Sequence, residues 1–155
     1  MYSLPTVLSL FLAAFAAQAS EDTKSKDVKA AATKQVLQKM AGTWELSSRG
    51  YHGALRPLKS GTYRKTILPD GTMIVASQVN KGKPLGSIRI DPTTFPKTID
   101  IIQTSGRVIE GIYELDGDDL HICTAYEGFP RPSDFTFPGG SGNFFELFRR
   151  VKDKK

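Results

Sequence analysis

Apolar positions keep two different rhythms along this chain. Val28, Ala32, Val36 and Met40 recur at about helical spacing, with Leu37 beside them, which predicts an amphipathic helix over residues 27–40. Ser25 stands where an N-cap would. The apolar stripe is narrow, so such a helix needs a domain to pack against. Residues 20–25 read as a disordered polar leader. From Gly42 onward the rhythm shortens, and β-favouring runs alternate with Gly, Pro, Asn and Asp. Eight strands are predicted, over 43–48, 62–68, 72–79, 86–90, 98–103, 108–115, 120–126 and 143–150.

Two turns pin this reading. Asp116-Gly117-Asp118 separates Ile112, Tyr113 and Leu115 from Leu120, Ile122 and Cys123, a strong hairpin signal. Pro69-Asp70-Gly71 joins two further runs in the same way. Most connections are hairpin-short, which suits an up-and-down meander. Closing that meander would remove the sheet edges. The expected fold is therefore all-β: a small up-and-down barrel of about eight strands with an N-terminal α-helix. Trp44, Leu46, Ile88, Ile90, Tyr113, Leu115, Leu120 and Ile122 fall on the expected inward face. Residues 50–59 and 127–142 read as long connections. Residues 80–86 form a Lys- and Gly-rich stretch with no cue.

The first 19 residues change the picture of where the protein works. An apolar run from Leu4 to Phe15 is followed by Ala17-Gln18-Ala19 and then by polar residues, the layout of a secretory signal peptide. The run is shorter than the ~20 residues of a membrane span, so none is expected in the mature chain. Export, periplasmic or secreted, is the expectation. The domains divide as signal peptide 1–19, leader and helix 20–41, barrel 42–151 and basic tail 152–155. Removing 19 of 155 residues would leave 136, enough for one core without staples. Cys123 is the only cysteine, so no internal disulfide forms, and in a strand it reads as a buried small hydrophobe.

The net charge of +5 is unevenly placed. Residues 149–155 hold five basic residues and one acid, leaving the rest near neutral. A basic end is not a basic face with aromatic or helical readers, so no nucleic acid is expected.

Gly42-Thr43-Trp44 opening the first strand resembles the G-x-W signature of lipocalins and related calycin barrels. The chain more specifically resembles a lipocalin-like domain of uncharacterised function known chiefly from planctomycete proteins. The resemblance runs from about Leu37 to Arg150. It rests on Gly42-Thr43-Trp44, on Asp91-Pro92 with Pro96-Lys97-Thr98-Ile99-Asp100, and on residues 111–118 with Leu120 and Cys123. Arg131-Pro132-Ser133-Asp134-Phe135 and residues 138–142 complete it. It implies a small, often exported barrel whose Trp closes one end under an Arg or Lys of the last strand. Gly42, Trp44 and Arg150 would form that closure, with Arg149 the other candidate. The family carries no established activity, so no catalytic residues carry over.

No motif supplies chemistry of its own. Three aspartates on a tight turn fall far short of a Ca²⁺ loop. His52 and His121 sit in no H-E-x-x-H pattern and have no Cys pair beside them; His121 reads as an exposed imidazole. No G-x-S-x-G elbow appears, and Gly139-Gly140-Ser141-Gly142 lacks the end of a phosphate loop. Arg107 with Glu110, and Arg131 with Asp134, read as surface ion pairs. Without a nucleophile, base and orienter, an enzyme is not expected, and no cofactor or metal is implied. Arg131, Pro132 and Phe135 read as a loop strut, with Phe135 over one barrel end and Arg131 bonding carbonyls or Asp134.

The functional expectation is a monomeric, non-enzymatic module that takes a small apolar molecule into its barrel. Trp44, Tyr63, Tyr113, Leu115 and Tyr126 are its candidate interior or ligand residues. The alternative is a filled barrel serving protein interaction or structure, with Phe129, Phe135 and Phe137 as a contact patch.

Overall fold

In the computed structural model, the described residues are 8–77 and 82–152. A helix, α1 (Leu8–Met40), precedes nine strands: β1 (Gly42–Tyr51), β2 (Ala54–Pro57), β3 (Tyr63–Ile67), β4 (Thr72–Ser77), β5 (Lys83–Asp91), β6 (Thr98–Gln103), β7 (Val108–Asp116), β8 (Asp119–Ala125) and β9 (Asn143–Arg150). From β3 on, each strand pairs antiparallel with the next, and β9 returns to β1. The sheet is thus a closed antiparallel barrel. β2 and β3 pair with two successive stretches of β1, residues 48–51 and 42–45. They make one interrupted stave, and the barrel has eight.

The fold class is the one the sequence indicates, and the differences have local causes. α1 is longer than expected and runs through residues 20–25, the expected disordered leader. Between Leu8 and Met40 the chain has no Gly or Pro to stop a helix. β2 lies inside a stretch read as a connection; all four of its residues are exposed, so no burial pattern marks it. β5 begins at Lys83 within the cue-less stretch. Residues 78 and 79 of the expected third strand, residues 1–7 of the expected signal peptide and residues 153–155 of the basic tail lie outside the described residues.

Register follows the turns. Asp116 pairs with Asp119, leaving Gly117-Asp118 as a two-residue loop. Gly117 has φ 57, the positive φ that a type II′ hairpin needs at its first central position. Along β1 the register shifts between Leu46 and Ser48. This bulge reverses the alternation, so Trp44 and Leu46 face inward before it, and Arg49, paired with Glu146, after it.

The core fills the barrel from the α1 end. Trp44, Leu46, Ile67, Met73, Ile99, Tyr113, Leu120, Ile122 and Phe148 are fully buried there, with Met40. Val36 and Leu37 of α1 and Leu115 of β7 pack against this cluster. Burying each large side chain stabilises by ~1.5–3 kcal/mol. Lys29 of α1 also pairs with Asp91 at the end of β5, and that contact, led by the Lys29 hydrogen bond, pulls the Asp91 carboxyl down to about 2. Among the described residues no helix is long and apolar enough to cross a membrane.

Candidate functional site

One end of the barrel is stoppered where α1 meets β1 and β9. The Trp44 indole donates from Nε1 to the Met40 carbonyl at 2.8 Å. The Arg150 guanidinium lies over the Trp44 ring, 4.1 Å from its centre, a cation–π contact. The same guanidinium donates to the carbonyls of Ala41 at 2.8 Å and Lys39 at 2.6 Å. A cation thus ends the helix by satisfying carbonyls that have no partner in the next turn. Gly42 has φ 135, and a Cβ there would stand 2.7 Å from Arg150 Nη1. Gly42, Trp44 and Arg150 are therefore one device, and Arg149 points to solvent beside Asp119.

The other half of the interior is charged. Alternation along β3 places Lys65 between Tyr63 and Ile67; alternation along β9 places Glu146 between Phe144 and Phe148. The Lys65 side chain is only 3% exposed. Its Nζ lies 4.0 Å from the Phe148 ring centre and 3.5 Å from Glu146 Oε2. Arg49 Nη2 donates to Glu146 Oε1 at 3.1 Å, and its guanidinium sits 5.1 Å from the Phe144 ring centre. Arg49 Nε is buried without a hydrogen-bond partner. Burial depresses the Lys65 pKa, and Glu146 opposes that shift. Burial, helped by the Glu146 charge, pushes the Tyr63 phenol up to about 12. Two cations thus share one carboxylate in a low-dielectric space, where an unpaired charge is costly.

The five candidate interior residues do not form one group. Trp44, Tyr113 and Leu115 belong to the stoppered half. The Tyr113 hydroxyl is buried without a partner, and burial raises its pKa to about 12. Tyr63 borders the charged half, 6.4 Å from Phe148 ring to ring. Tyr126 is 49% exposed and stands at the rim away from α1, beside Phe144. Two clefts open there, of about 290 Å³ and 230 Å³, and Tyr126 and Phe129 line both. Sequence reasoning missed Arg49, Lys65 and Glu146. The available signal was their register with apolar neighbours, as in Phe144-x-Glu146-x-Phe148.

The 127–142 segment is a strut, placed differently from its expected position. Arg131 donates to the carbonyls of Gly111 at 2.7 Å and Ile99 at 3.2 Å. It also reaches Asp100 at 2.7 Å and Glu110 at 3.1 Å. Asp134 instead accepts from the Thr136 backbone. Arg107 pairs with Glu127, not with Glu110. Pro132 is buried. Phe135 does not cover a barrel end; it packs on the outer wall against His121 and Phe145. Phe137 stacks on Phe145 at 5.5 Å. The reason lies in β9, which is apolar on both faces and needs cover on both. His121 is accordingly half-buried between two rings, not free in solvent. Cys123 is buried on the same wall, and burial raises its thiol pKa to about 11.

The acidic turn is occupied by cations of the chain itself. Asp118 pairs with Lys152 at 2.7 Å and Arg150 at 3.5 Å. Among the described residues no group of three or more His, Cys, Asp or Glu side chains is placed to hold a metal ion. Compared with protein-family models and with curated proteins, the chain matches none.

Proposed function

We propose that this chain is an exported, non-enzymatic barrel of lipocalin-like type that binds a small, largely apolar molecule through its open half. The observation that carries this reading is the contrast in the interior. The α1 half is filled by fully buried apolar side chains. The other half holds Arg49, Lys65 and Glu146 among aromatic rings, and two clefts lined by Tyr126 and Phe129 rather than by these three lie at the same end of the barrel. Ligand sites combine apolar walls with a few convergent polar groups in this way. Fold alone does not carry it, because filled barrels also exist. The test is titration with N-phenyl-1-naphthylamine, a neutral dye that fluoresces in apolar surroundings, with native mass spectrometry of the protein as isolated. Saturable one-to-one binding supports the reading; absence of both dye binding and co-purified ligand contradicts it.

A second reading, a protein-interaction domain, is favoured by Phe95. Its side chain is fully exposed in the β5–β6 connection, and Val28 of α1 is also exposed. Loss of a captured partner on Phe95→Ser substitution would support it, and indifference to that change would count against it.

A further inference from the structure

We propose that the strut of residues 127–142 is a latched strap, which opens as a unit while the barrel stays closed and so gates access to the outer wall. This goes beyond the small-molecule reading and does not depend on it.

The wall beneath the strap is one row of residues across four strands. Ile112 of β7 lies opposite Cys123 of β8, Cys123 opposite Phe145 of β9, and Phe145 opposite Gly50 of β1. Ile112 and Cys123 are fully buried, yet neither belongs to the interior cluster. Their cover is the strap, which crosses the row from end to end. At one end Arg131 bonds the carbonyls of Ile99 and Gly111. Midway, burial raises the Cys123 thiol pKa and the Asp134 charge of the strap adds to that rise. At the other end Phe137 stacks on Phe145, and a Cβ at Gly50 would stand 2.6 Å from the Phe137 ring. Gly50 has no positive φ, so a glycine here makes room: it is the socket for Phe137.

The strap is held at few points. It contains no helix or strand, and Pro132 is its one buried residue. Segments with few buried contacts open at lower free energy than the core they rest on. Its ends meet, with the Tyr126 N–H donating to the Gly142 carbonyl at 2.8 Å, so it can lift away without unpairing a strand. Its latch is Arg131, with Asp100 at 2.7 Å and Glu110 at 3.1 Å. The far end adds one backbone bond, from the Gly53 N–H to the Phe137 carbonyl at 2.6 Å. Asp100 also holds Arg89 at 2.6 Å, so opening leaves no bare buried carboxylate, and Glu110 is already exposed. Opening thus gives up the Arg131 contacts, one backbone bond and the Phe135 and Phe137 rings, and leaves the strand ladders intact.

The experiment uses the chain's single cysteine and single tryptophan as two reporters. Cys123 lies under the strap, and Trp44 lies in the stoppered half. Labelling of Cys123 by N-ethylmaleimide is followed against urea concentration, alongside Trp44 fluorescence. Without urea, labelling is expected to run about tenfold or more faster than the global unfolding read at Trp44 allows. It should also depend only weakly on urea, because a local opening exposes little surface. Arg131→Gln is expected to speed labelling about tenfold, the scale of a charge-assisted hydrogen bond, with the Trp44 transition little moved. Gly50→Ala, which crowds Phe137 at the far end, is expected to speed it several-fold, and it carries the test if Arg131→Gln fails to fold. Labelling that follows the Trp44 transition in its urea dependence, or that neither variant speeds, overturns the proposal: the strap then opens only with the barrel.

Discussion

The two halves of the barrel interior meet the same requirement in different ways. Near α1, polar groups are few and almost all are used: the Trp44 indole has the Met40 carbonyl, and Arg150 has two carbonyls and a ring face. Near the rim, Arg49, Lys65 and Glu146 are buried or half-buried, and their donors outnumber their acceptors. A barrel that only needed stability would fill both halves alike, since well-packed apolar residues often match or exceed buried ion pairs. The difference teaches that the α1 half carries stability, while the charged half spends some of it, and under the proposed function that is the half a ligand would enter.

The largest expected effect breaks the stoppered half. Trp44→Ala removes a fully buried ring and is expected to cost ~3–5 kcal/mol, read from urea denaturation. Arg150→Ala leaves the Lys39 and Ala41 carbonyls without their donors and is expected to cost ~2 kcal/mol, with faster amide exchange in the last turn of α1. Tyr113→Phe is expected to stabilise by ~1 kcal/mol, because the hydroxyl it removes is buried and unpartnered. It should also delay alkaline unfolding. Burial raises the folded Tyr113 pKa from 10 to about 12, so its contribution is full below pH 10 and is lost as pH rises through that window.

The smallest expected effect on stability belongs to the rim half. Lys65→Met is expected to change it at neutral pH by no more than ~1 kcal/mol, since Glu146 keeps Arg49 and one desolvated charge is gone. Its signature is a pH dependence. Burial lowers the folded Lys65 pKa below 10.5, so the unfolded chain binds more protons between the two values, and stability rises with pH there. The variant should lack that rise. A loss at Lys65→Met as large as at Trp44→Ala would erase the distinction between the halves.

The α1 half and the hairpins were legible because they follow local rules. Gly117 and Gly71 mark turns, and Ile88, Ile90, Leu120 and Ile122 alternate as a half-buried strand should. Arg49, Lys65 and Glu146 were not legible, for two reasons. Charged residues ordinarily read as the solvent face, and the bulge between Leu46 and Ser48 reverses β1 at a place that alternation alone does not mark. The outer wall was half legible. Phe144, Phe145, Leu147 and Phe148 make β9 apolar on both faces, which signals a cover but not which segment supplies it. Arg131 supplies the answer by bonding two strand carbonyls at a distance no sequence spacing encodes.

The proposed function places ligand in the charged half only, and amide and side-chain NMR shifts on adding N-phenyl-1-naphthylamine test it most directly. Shifts are expected at Arg49, Tyr63, Lys65 and Glu146, with the Trp44 indole and Met40 unmoved. Shifts confined to the outer wall around Phe135 and Phe145, or none at all, would contradict it.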